Sequence, residues 1–237
     1  MARFKHPFPL YKKFLPLFAI IIRMRKKFEK LQVKVFSTGE LETNAYLVFN
    51  EQTKEAFLVD CPAPIDAYQD FILKNNLDLK FLILTHGHYD HIDGTENFFK
   101  KFPVPFYLNK KDLPMLLNPL KNGSLVFGPS VVLIKQQPIF CGDNDKISFG
   151  KNKLQIIETP GHTPGSISVK LGNWLFSGDV IFYHSVGRTD FPFSDTEQLR
   201  QSIKRKIFTL EPQTIIYPGH GRETSVAEEV KNNLFFR

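Results

Sequence analysis

The sequence predicts an α+β protein in which two β-sheets pack face to face and helices cover their outer surfaces. Short apolar runs rich in β-branched and aromatic residues fill two parts of the chain, one from Val33 and one from Asp145. Such runs are typical of strands. Each part also contains stretches with the apolar spacing of an amphipathic helix. Because a sheet and a helix each present an apolar surface that must be covered, two such halves favour a sandwich.

The first half begins with three strands and then alternates between helix and strand. Its predicted strands are residues 33–38, 44–49, 56–61, 81–88 and 105–109. Helices are predicted over residues 64–74 and 94–102, where apolar side chains fall on one face. Residues 110–141 are interrupted by prolines and glycines. We predict that they form a helix and an excursion over the functional site.

The second half again consists of short predicted strands with helical stretches among them. Its predicted strands are residues 145–150, 153–163, 166–172, 173–182 and 214–221. A helix is predicted over residues 196–210, because Leu199, Ile203 and Ile207 share one face. A last helix is predicted from about Val226.

The net charge of +7 is concentrated at the start of the chain. Residues 1–30 contain nine of the 31 basic residues and one of the 24 acidic residues, so the remainder carries 22 basic and 23 acidic residues. A nearly neutral body argues against a surface that follows nucleic-acid phosphates. We therefore divide the chain into a basic leader, residues 1–30, and a single domain, residues 31–237, and expect no nucleic-acid partner.

The leader contains an apolar run of nine residues, 14–22. A bilayer span needs about 20 apolar residues, so this run is too short to cross a membrane. Basic residues follow where a signal peptide has small residues and a cleavage site. Three interpretations stay open: a weak anchor to a membrane surface, a disordered or loosely packed extension, and a start-site extension with the true start at Met24.

The chain has only two cysteines, Cys61 and Cys141. One pair in a chain of this length is no disulfide framework, so we expect a reducing compartment, the cytoplasm. Cys61 is predicted to be a buried, inert thiol.

The strongest functional motif is THGHYDH, residues 85–91, which follows an apolar strand. Alternate residues of an extended chain point to one side, so His86 and His88 could bind one metal ion together. Asp90 and His91 would then face a neighbouring ion as the loop turns. Imidazole and carboxylate ligands suit Zn²⁺, Fe or Mn²⁺.

Three further strands end in glycine beside a residue of a metal-ligand type. His162 stands in TPGHT, Asp179 in FSGD and His220 in YPGHG. A carboxylate has two oxygens, so Asp179 could bridge two ions. Since all these segments share one arrangement of strand, glycine and ligand, the sequence predicts a single metal site. Its predicted ligands are His86, His88, Asp90, His91, His162, Asp179 and His220.

The order HxHxDH, GHTPGS, SGD and PGHG resembles the metallo-β-lactamase superfamily. In particular it is similar to the short, single-domain branch of the glyoxalase II (hydroxyacylglutathione hydrolase) family. The string GRTDF, residues 187–191, is also typical of that branch. The resemblance covers about residues 31–232.

The resemblance implies a four-layer αββα sandwich with the site at one edge between the sheets. It implies that the first metal is bound by His86, His88 and His162. The second metal would be bound by Asp90, His91 and His220, with Asp179 as the bridge. Asp90 and Asp179 would also orient and hold the attacking hydroxide. The carboxylates of Asp60 and Asp190 would support the ligands from behind.

Such a site is expected to hydrolyse a thioester with a hydroxide that bridges two divalent metal ions, which we expect to be Zn²⁺, with Fe or Mn as alternatives. Two ions about 3.5–4 Å apart lower the pKa of bound water. A thiolate leaves without a general acid, because the pKa of a thiol is about 8.5. The expected substrate is a small-molecule thioester such as S-lactoylglutathione.

The identity of the thiol stays open. Glyoxalase II has a carboxyl-terminal helical region that helps to hold glutathione, and only 17 residues follow His220 in this chain. The predicted substrate-binding residues are Tyr89, His184, Arg188 and Arg222. Either arginine could pair with a substrate carboxylate.

Other functions on the same residues are considered beside the hydrolase. A persulfide dioxygenase would hold one Fe(II) with His86, His162 and Asp179, a set of two histidines and a carboxylate. A phosphodiesterase and a lactone or β-lactam hydrolase use the same fold. A non-enzymatic scaffold whose site has decayed is the remaining alternative.

Overall fold

The structure is a computed structural model, and it describes residues 30–237. Residues 31–237 form one compact unit. The interpretations of the leader concern residues 1–29 and lie outside the described residues. Within residues 30–237, no helix is long and apolar enough to cross a bilayer.

The first sheet has six strands in sequential order. They are β1 (Leu31–Thr38), β2 (Thr43–Asn50), β3 (Glu55–Val59), β4 (Asp78–Ile83), β5 (Phe106–Leu108) and β6 (Ile139–Phe140). The pairs β1–β2 and β2–β3 are antiparallel, whereas β3, β4, β5 and β6 run parallel to one another. Parallel neighbours need a crossover connection, and helices between these strands supply it.

The second sheet also has six strands, in the order β14–β13–β10–β9–β8–β7. They are β7 (Lys146–Phe149), β8 (Asn152–Glu158), β9 (Ile167–Leu171), β10 (Trp174–Gly178), β13 (Ile215–Pro218) and β14 (Thr224–Ser225). Only β10 and β13 pair in parallel. Between them in the chain lies a small hairpin of β11 (Ile181–Phe182) and β12 (Ser185–Val186).

Seven α-helices accompany the sheets in the described part of the chain. They are α1 (Asp66–Lys74), α2 (Tyr89–Ile92), α3 (Thr95–Lys101), α4 (Leu113–Leu116), α5 (Ser124–Phe127), α6 (Thr196–Ser202) and α7 (Val226–Asn232). Short 3₁₀ turns lie at Lys110–Asp112 and Leu234–Phe236. The predicted helix over residues 196–210 is instead α6 followed by a π-helical turn, Ile203–Ile207, which keeps both of its isoleucines buried.

Three apolar layers follow from the alternation of side chains along the strands. Phe57 faces the second sheet, where its ring centroid lies 4.8 Å from that of Phe149. The next residue, Leu58, faces the opposite way and packs with Tyr68 of α1. On the far side of the second sheet, Leu175 belongs to the apolar layer that α6 covers. Helix, sheet, sheet and helix therefore form the αββα sandwich that the resemblance implied.

The two sheets are tied together at the edge where the ligand-bearing loops emerge. The backbone N–H of Asn44 donates to Gly219 O at 2.8 Å, and that of Ile167 donates to Thr85 O at 2.9 Å. Within the second sheet, Gly219 N–H donates to Gly178 O at 2.9 Å. These bonds join the end of β4 to the start of β9, the start of β2 to the end of β13, and the ends of β10 and β13 to each other.

Candidate metal centre

All seven predicted ligands converge on one place at this edge. Potential ligand atoms lie within 4.8 Å of one another in three overlapping groups. We name two of them: the His86 group is His86, His88 and His162, and the His220 group is Asp90, His91 and His220. The third, formed by His86, His91 and Asp179, joins them. The division between the first two groups is the one that the resemblance implied.

Asp179 lies between the two groups. Its Oδ1 is 3.2 Å from His91 Nε2, and its Oδ2 is 3.4 Å from His220 Nε2 and 3.6 Å from His162 Nε2. A single carboxylate thus faces nitrogen atoms of both groups.

Two of the histidines are oriented by Asp60, a buried carboxylate that follows β3. His91 Nδ1 lies 2.8 Å from Asp60 Oδ2, and since a carboxylate accepts, this nitrogen donates. Thr85 Oγ1 donates to the same oxygen at 2.8 Å and lies 3.1 Å from His86 Nδ1. Because its only proton goes to Asp60, the threonine oxygen accepts from His86. In the neutral rings, the Nε2 lone pairs of His86 and His91 therefore face the centre.

Backbone carbonyls orient two more histidines. His162 Nδ1 donates to Arg188 O at 2.7 Å, and His220 Nδ1 donates to Leu41 O at 2.9 Å. A carbonyl oxygen can only accept, so each Nε2 is again unprotonated in the neutral ring. His88 differs because its Nδ1 faces the centre, 2.8 Å from His162 Nε2. Two lone pairs at this distance repel unless a proton or a cation lies between them.

Unsatisfied buried atoms concentrate at this place. In residues 30–237, five buried side-chain atoms have no hydrogen-bond partner, and three of them are His86 Nε2, His91 Nε2 and Asp179 Oδ1. Buried polar atoms are normally bonded, so such a concentration indicates a missing charged partner. Imidazole nitrogens and carboxylate oxygens are ligands for zinc, iron and manganese, and the donor set therefore fits a pair of divalent cations.

The His86 group is electrically neutral near pH 7. Burial, reinforced by the neighbouring imidazoles, lowers the pKa of His86 well below its usual value. The same causes lower the pKa of His88 to about 3, and burial also lowers the pKa of His162. Neutral imidazole is the form that binds metal.

The His220 group favours positive charge. Burial opposes the charging of His91, but the charges of Asp179, Asp90 and Asp60 outweigh it and raise the pKa of His91 well above its usual value. For His220, hydrogen bonds with Asp179 and Asp90 likewise outweigh burial and raise the pKa to about 10. Burial acts to raise the pKa of Asp90, but His91 and His220 hold it down at about 2. The carboxylates are therefore ionised and attract a cation.

Asp112, which the sequence analysis did not single out, ties two ligand loops together. Its fully buried carboxylate accepts from Gly87 N at 3.0 Å, from Gly165 N at 2.7 Å and from Thr163 Oγ1 at 2.7 Å. It lies in the 110–141 excursion, which packs on the ligand loop as predicted. A Cβ on Gly87 would lie 2.6 Å from Met115 Cβ, so glycine is needed there for the approach of the excursion.

Thr43 is a second residue that sequence reasoning missed. Its Oγ1 donates to Asp90 Oδ2 at 2.9 Å, and its backbone bridges to His220. Thr43 begins β2, far from every motif in the sequence, so only the folded chain reveals the contact.

The prediction that Asp190 supports the ligands needs correction. Its carboxylate, 67% exposed, forms an ion pair with Arg188 at 2.8 Å and so points to solvent. Within the GRTDF string, the backbone carbonyl of Arg188 accepts a hydrogen bond from His162 and so supports that ligand. The Arg188 guanidinium is committed to Asp190 and stacks on the Phe191 ring, 4.5 Å from its centroid.

The other predicted substrate residues have different surroundings. The Tyr89 hydroxyl donates to Phe127 O at 3.1 Å and so helps to hold the excursion in place. His184 is paired with Glu228 at 2.6 Å. Arg222 lies over the Tyr183 ring, 3.6 Å from its centroid. The described residues offer the Arg222 guanidinium no carboxylate partner, so its charge is available to a ligand.

Comparison with known proteins agrees with this geometry. The sequence profile of the metallo-beta-lactamase superfamily matches residues 38–220. The probable metallo-hydrolase YqgX of Bacillus subtilis (strain 168) is 32% identical over 200 residues, or 83% of this chain and 93% of the relative. The hydroxyacylglutathione hydrolase GloC of Haemophilus influenzae is 29% identical over 86% of this chain and 98% of the relative. The mitochondrial persulfide dioxygenase ETHE1 of Mus musculus is 32% identical over 79% of this chain and 68% of the relative.

Two solved structures are similar over most of the chain. BLEG-1 B3 metallo-beta-lactamase has a TM-score of 0.82 and 33% identity, covering 86% of this chain and 99% of that one. TTHA1623 in a di-iron-bound form has a TM-score of 0.78 and 30% identity, covering 86% of this chain and 100% of that one. With its αββα sandwich, its ordered ligand motifs and this profile match, the chain belongs to the metallo-β-lactamase superfamily.

Proposed function

We propose that this protein is a binuclear metallohydrolase that cleaves a thioester, with an S-acylglutathione as its substrate. The observation that carries the proposal is the position of Asp179, whose two oxygens face nitrogen atoms of both ligand groups. A carboxylate shared in this way favours two cations held side by side over one cation held alone.

The seven ligands divide the work of binding. The His86 group would hold one cation and the His220 group the other, with Asp179 shared between them. A pair of divalent cations supplies the acidity that ionises water near neutral pH and the charge that polarises a carbonyl. We propose Zn²⁺ in both positions. Iron is the alternative, since TTHA1623 is described in a di-iron-bound form, and manganese suits the same ligands.

Asp90 and Asp179 would orient the attacking water. The interactions with His91 and His220 hold the pKa of both carboxyls below its usual value, so both accept hydrogen bonds at neutral pH. Thr43 occupies Asp90 Oδ2, while Asp179 Oδ1 has no hydrogen-bond partner. A carboxylate oxygen beside a cation can also accept a hydrogen bond from the attacking water, and so would fix how that water is oriented.

A thioester suits the side chains at the centre. Those that converge there among residues 30–237 are imidazoles and carboxylates committed to metal binding, and the nearby Tyr89 hydroxyl is bonded to Phe127 O. An alkoxide or amine leaving group would need a proton donor, whereas a thiolate does not, since thiol pKa values are about 8.5. The name of GloC supports glutathione as the thiol, and its match spans 98% of that relative. Because the match spans nearly all of GloC, a hydroxyacylglutathione hydrolase of this kind has no separate carboxyl-terminal helical region beyond the matched part.

Arg222 is the residue we assign to the carboxylates of glutathione. It follows His220 by two residues, and stacking on Tyr183 holds the guanidinium in place while leaving its charge free. Arg188 is less suited, since Asp190 already neutralises it. We place the reaction in the cytoplasm, because both cysteines are free and buried, and such thiols persist in a reducing compartment.

Persulfide dioxygenase is the second candidate, and the identity of 32% with mouse ETHE1 favours it. It would need one Fe(II), held by His86, His162 and Asp179. The similarity to BLEG-1 makes a β-lactam a third substrate to include in the test.

Metal content and substrate choice together decide between these functions. The purified protein would be analysed for zinc, iron and manganese and assayed with S-lactoylglutathione, glutathione persulfide and a β-lactam. We expect about two metal ions per chain and thioester hydrolysis that is unchanged when O₂ is removed and abolished by a chelator. One iron per chain with O₂ uptake on the persulfide would overturn the proposal, as would full hydrolysis by the metal-free protein.

A further inference from the structure

An aromatic wall stands beside the His86 group. The ring centroid of Phe191 lies 5.2 Å from that of His88 and 6.5 Å from that of His162. Phe127 extends the wall, with its ring centroid 5.7 Å from that of Phe191. This side of the His86 group therefore presents aromatic carbon, and the one guanidinium that lies on the Phe191 ring, that of Arg188, is paired with Asp190.

The wall is open to solvent although it is apolar. Phe127 in α5 is 58% exposed and its neighbour Val126 is 60% exposed. An exposed apolar patch beside a reactive centre indicates a binding surface, because leaving it bare costs free energy. The bond from the Tyr89 hydroxyl to Phe127 O fixes the wall against the ligand loop.

A small pocket is lined in part by the two residues that follow Phe191. Its lining includes Met115, Pro164, Pro192 and Phe193. Met115 packs against Gly87, between two ligands, and Pro192 follows Phe191 directly. Two lysines also line the pocket: Lys111 is paired with Glu158 at 3.2 Å, and Lys121 lies over the Phe193 ring.

The opposite flank has a different character. There the Phe182 ring centroid lies 5.9 Å from that of His220, and next to Phe182 stands Tyr183 with the Arg222 guanidinium over its ring. One flank of the centre is thus apolar and the other cationic. On the apolar flank the charge of Arg188 is already neutralised by Asp190.

We propose that the acyl group of the substrate is an apolar chain that packs on Phe191 and Phe127. The inference rests on the proposed thioester hydrolase. Glutathione is an anionic thiol, so it would take the Arg222 flank, and the acyl group on the other side of the carbonyl must then extend along the aromatic wall. In the reaction a C–O bond forms with water and the C–S bond breaks. The thiolate leaves with the electron pair. Of the two protons of the water, one goes to solvent when the hydroxide forms and the other when the carboxylic acid product ionises.

The test is a series of S-acylglutathiones assayed with the metal-loaded, full-length protein. The series comprises S-acetyl-, S-butyryl-, S-hexanoyl-, S-lactoyl- and S-succinylglutathione. We expect kcat/KM to rise about fourfold per methylene from acetyl to butyryl, the effect of burying one CH₂. The kcat/KM for the butyryl substrate should exceed that for lactoyl, whose hydroxyl would lie against carbon. It should also exceed that for succinyl, whose carboxylate would lie against carbon. A preference for succinyl would show that a cation on this flank dominates recognition of the acyl group and would overturn the proposal.

Variants of the wall separate recognition from structure. Phe127→Ala removes an exposed side chain that touches no ligand, and Phe191→Ala removes the ring against His88. Both should flatten the chain-length dependence mainly through KM, while Phe191→Leu should restore most of it. The matched control is Phe140→Ala, an exposed phenylalanine of β6 on the sheet edge, which should change nothing.

The outcomes distinguish this inference from the function on which it rests. Metal-dependent hydrolysis with lactoyl preferred over butyryl, or with the same chain-length dependence in Phe127→Ala and Phe191→Ala, overturns the apolar acyl group and leaves the hydrolase standing. No hydrolysis of any thioester by the protein loaded with two metal ions per chain overturns the proposed function itself.

Discussion

The His86 group and the His220 group lie side by side and use similar side chains, yet their surroundings are opposite. In the His86 group, burial lowers the pKa of all three histidines. In the His220 group, the carboxylates around the histidines outweigh burial and raise the pKa of His220 to about 10. One group therefore offers neutral nitrogens, while the other holds protons where a cation would be bound.

The difference arises from what stands behind each histidine. His86 and His162 donate to a threonine oxygen and a backbone carbonyl, which are neutral acceptors. His91 donates to the carboxylate of Asp60, and its other nitrogen is 3.4 Å from Asp90 Oδ2. A cation that enters the His220 group gains from fixed negative charge but must displace protons. A cation that enters the His86 group gains from the shared Asp179 but has no proton to displace.

The shared carboxylate should produce the largest effect, because it belongs to both groups. Replacing Asp179 with alanine should lower metal content from about two ions per chain to less than one. Hydrolysis should fall by about 10³-fold or more, the cost of losing a charge aimed at the reacting atoms. Elemental analysis and thioester kinetics measure the two effects. Two retained ions with normal turnover would show that the groups bind metal independently of Asp179.

Single histidine variants address the two groups separately. His88→Ala and His220→Ala should each remove about one metal ion per chain, since each opens one group and leaves the other complete. Hydrolysis should fall by about 10²–10³-fold in both, as binuclear chemistry needs both charges. If His220→Ala retained full activity with one metal ion, the centre would operate with the His86 group alone, as a mononuclear enzyme would.

Most of the fold could be predicted from the sequence, since long apolar runs specify buried strands. The runs 81–88 and 173–182 correspond to β4 and β10, whose ends carry the ligand loops. The run 173–182 was predicted as one strand but forms β10 and the separate two-residue β11, while β12 and β14, also of two residues, were not predicted. They are too short to show a periodic pattern, and tertiary contacts create them.

The convergence of the seven candidate ligands could be predicted for the same reason, because the segments that carry them follow strand ends and contain glycine. Among the groups that support them, Asp60 was expected from the resemblance, but the others could not be predicted. Asp112 and Thr43 contact the site across 25 and 47 positions of sequence, and the carbonyls of Leu41 and Arg188 belong to groups that every residue has. Asp190 shows the reverse error. Its place in the GRTDF string led us to predict that it supports the ligands, whereas in the structure its side chain points to solvent.

The pH dependence of metal binding would sharpen the comparison. With a pKa of about 10, His220 is protonated at neutral pH, and this proton must leave when a cation binds. The pKa of His91 is raised as well, so a second proton competes with the cation, and the affinity of the His220 group should rise by more than tenfold per pH unit between pH 6 and 9. The His86 group should show almost no slope there, since the pKa of His88 is about 3 and no proton competes. Zinc titration of the metal-free protein in the His88→Ala and His220→Ala backgrounds measures each slope separately, and equal slopes would contradict the contrast.

The smallest effect is expected from Asp190→Asn. The substitution removes one charge of an ion pair in which both partners are largely exposed. Such pairs contribute about 0–1 kcal/mol to stability, so the unfolding free energy should change by less than that. Metal content and hydrolysis should stay within about twofold, because the bond between His162 and Arg188 uses the backbone carbonyl. Loss of a metal ion in this variant would mean that the Arg188 side chain fixes that carbonyl. Asp190 would then support the His86 group through Arg188. The surroundings of that group, described above as neutral, would have to include the charge of Asp190.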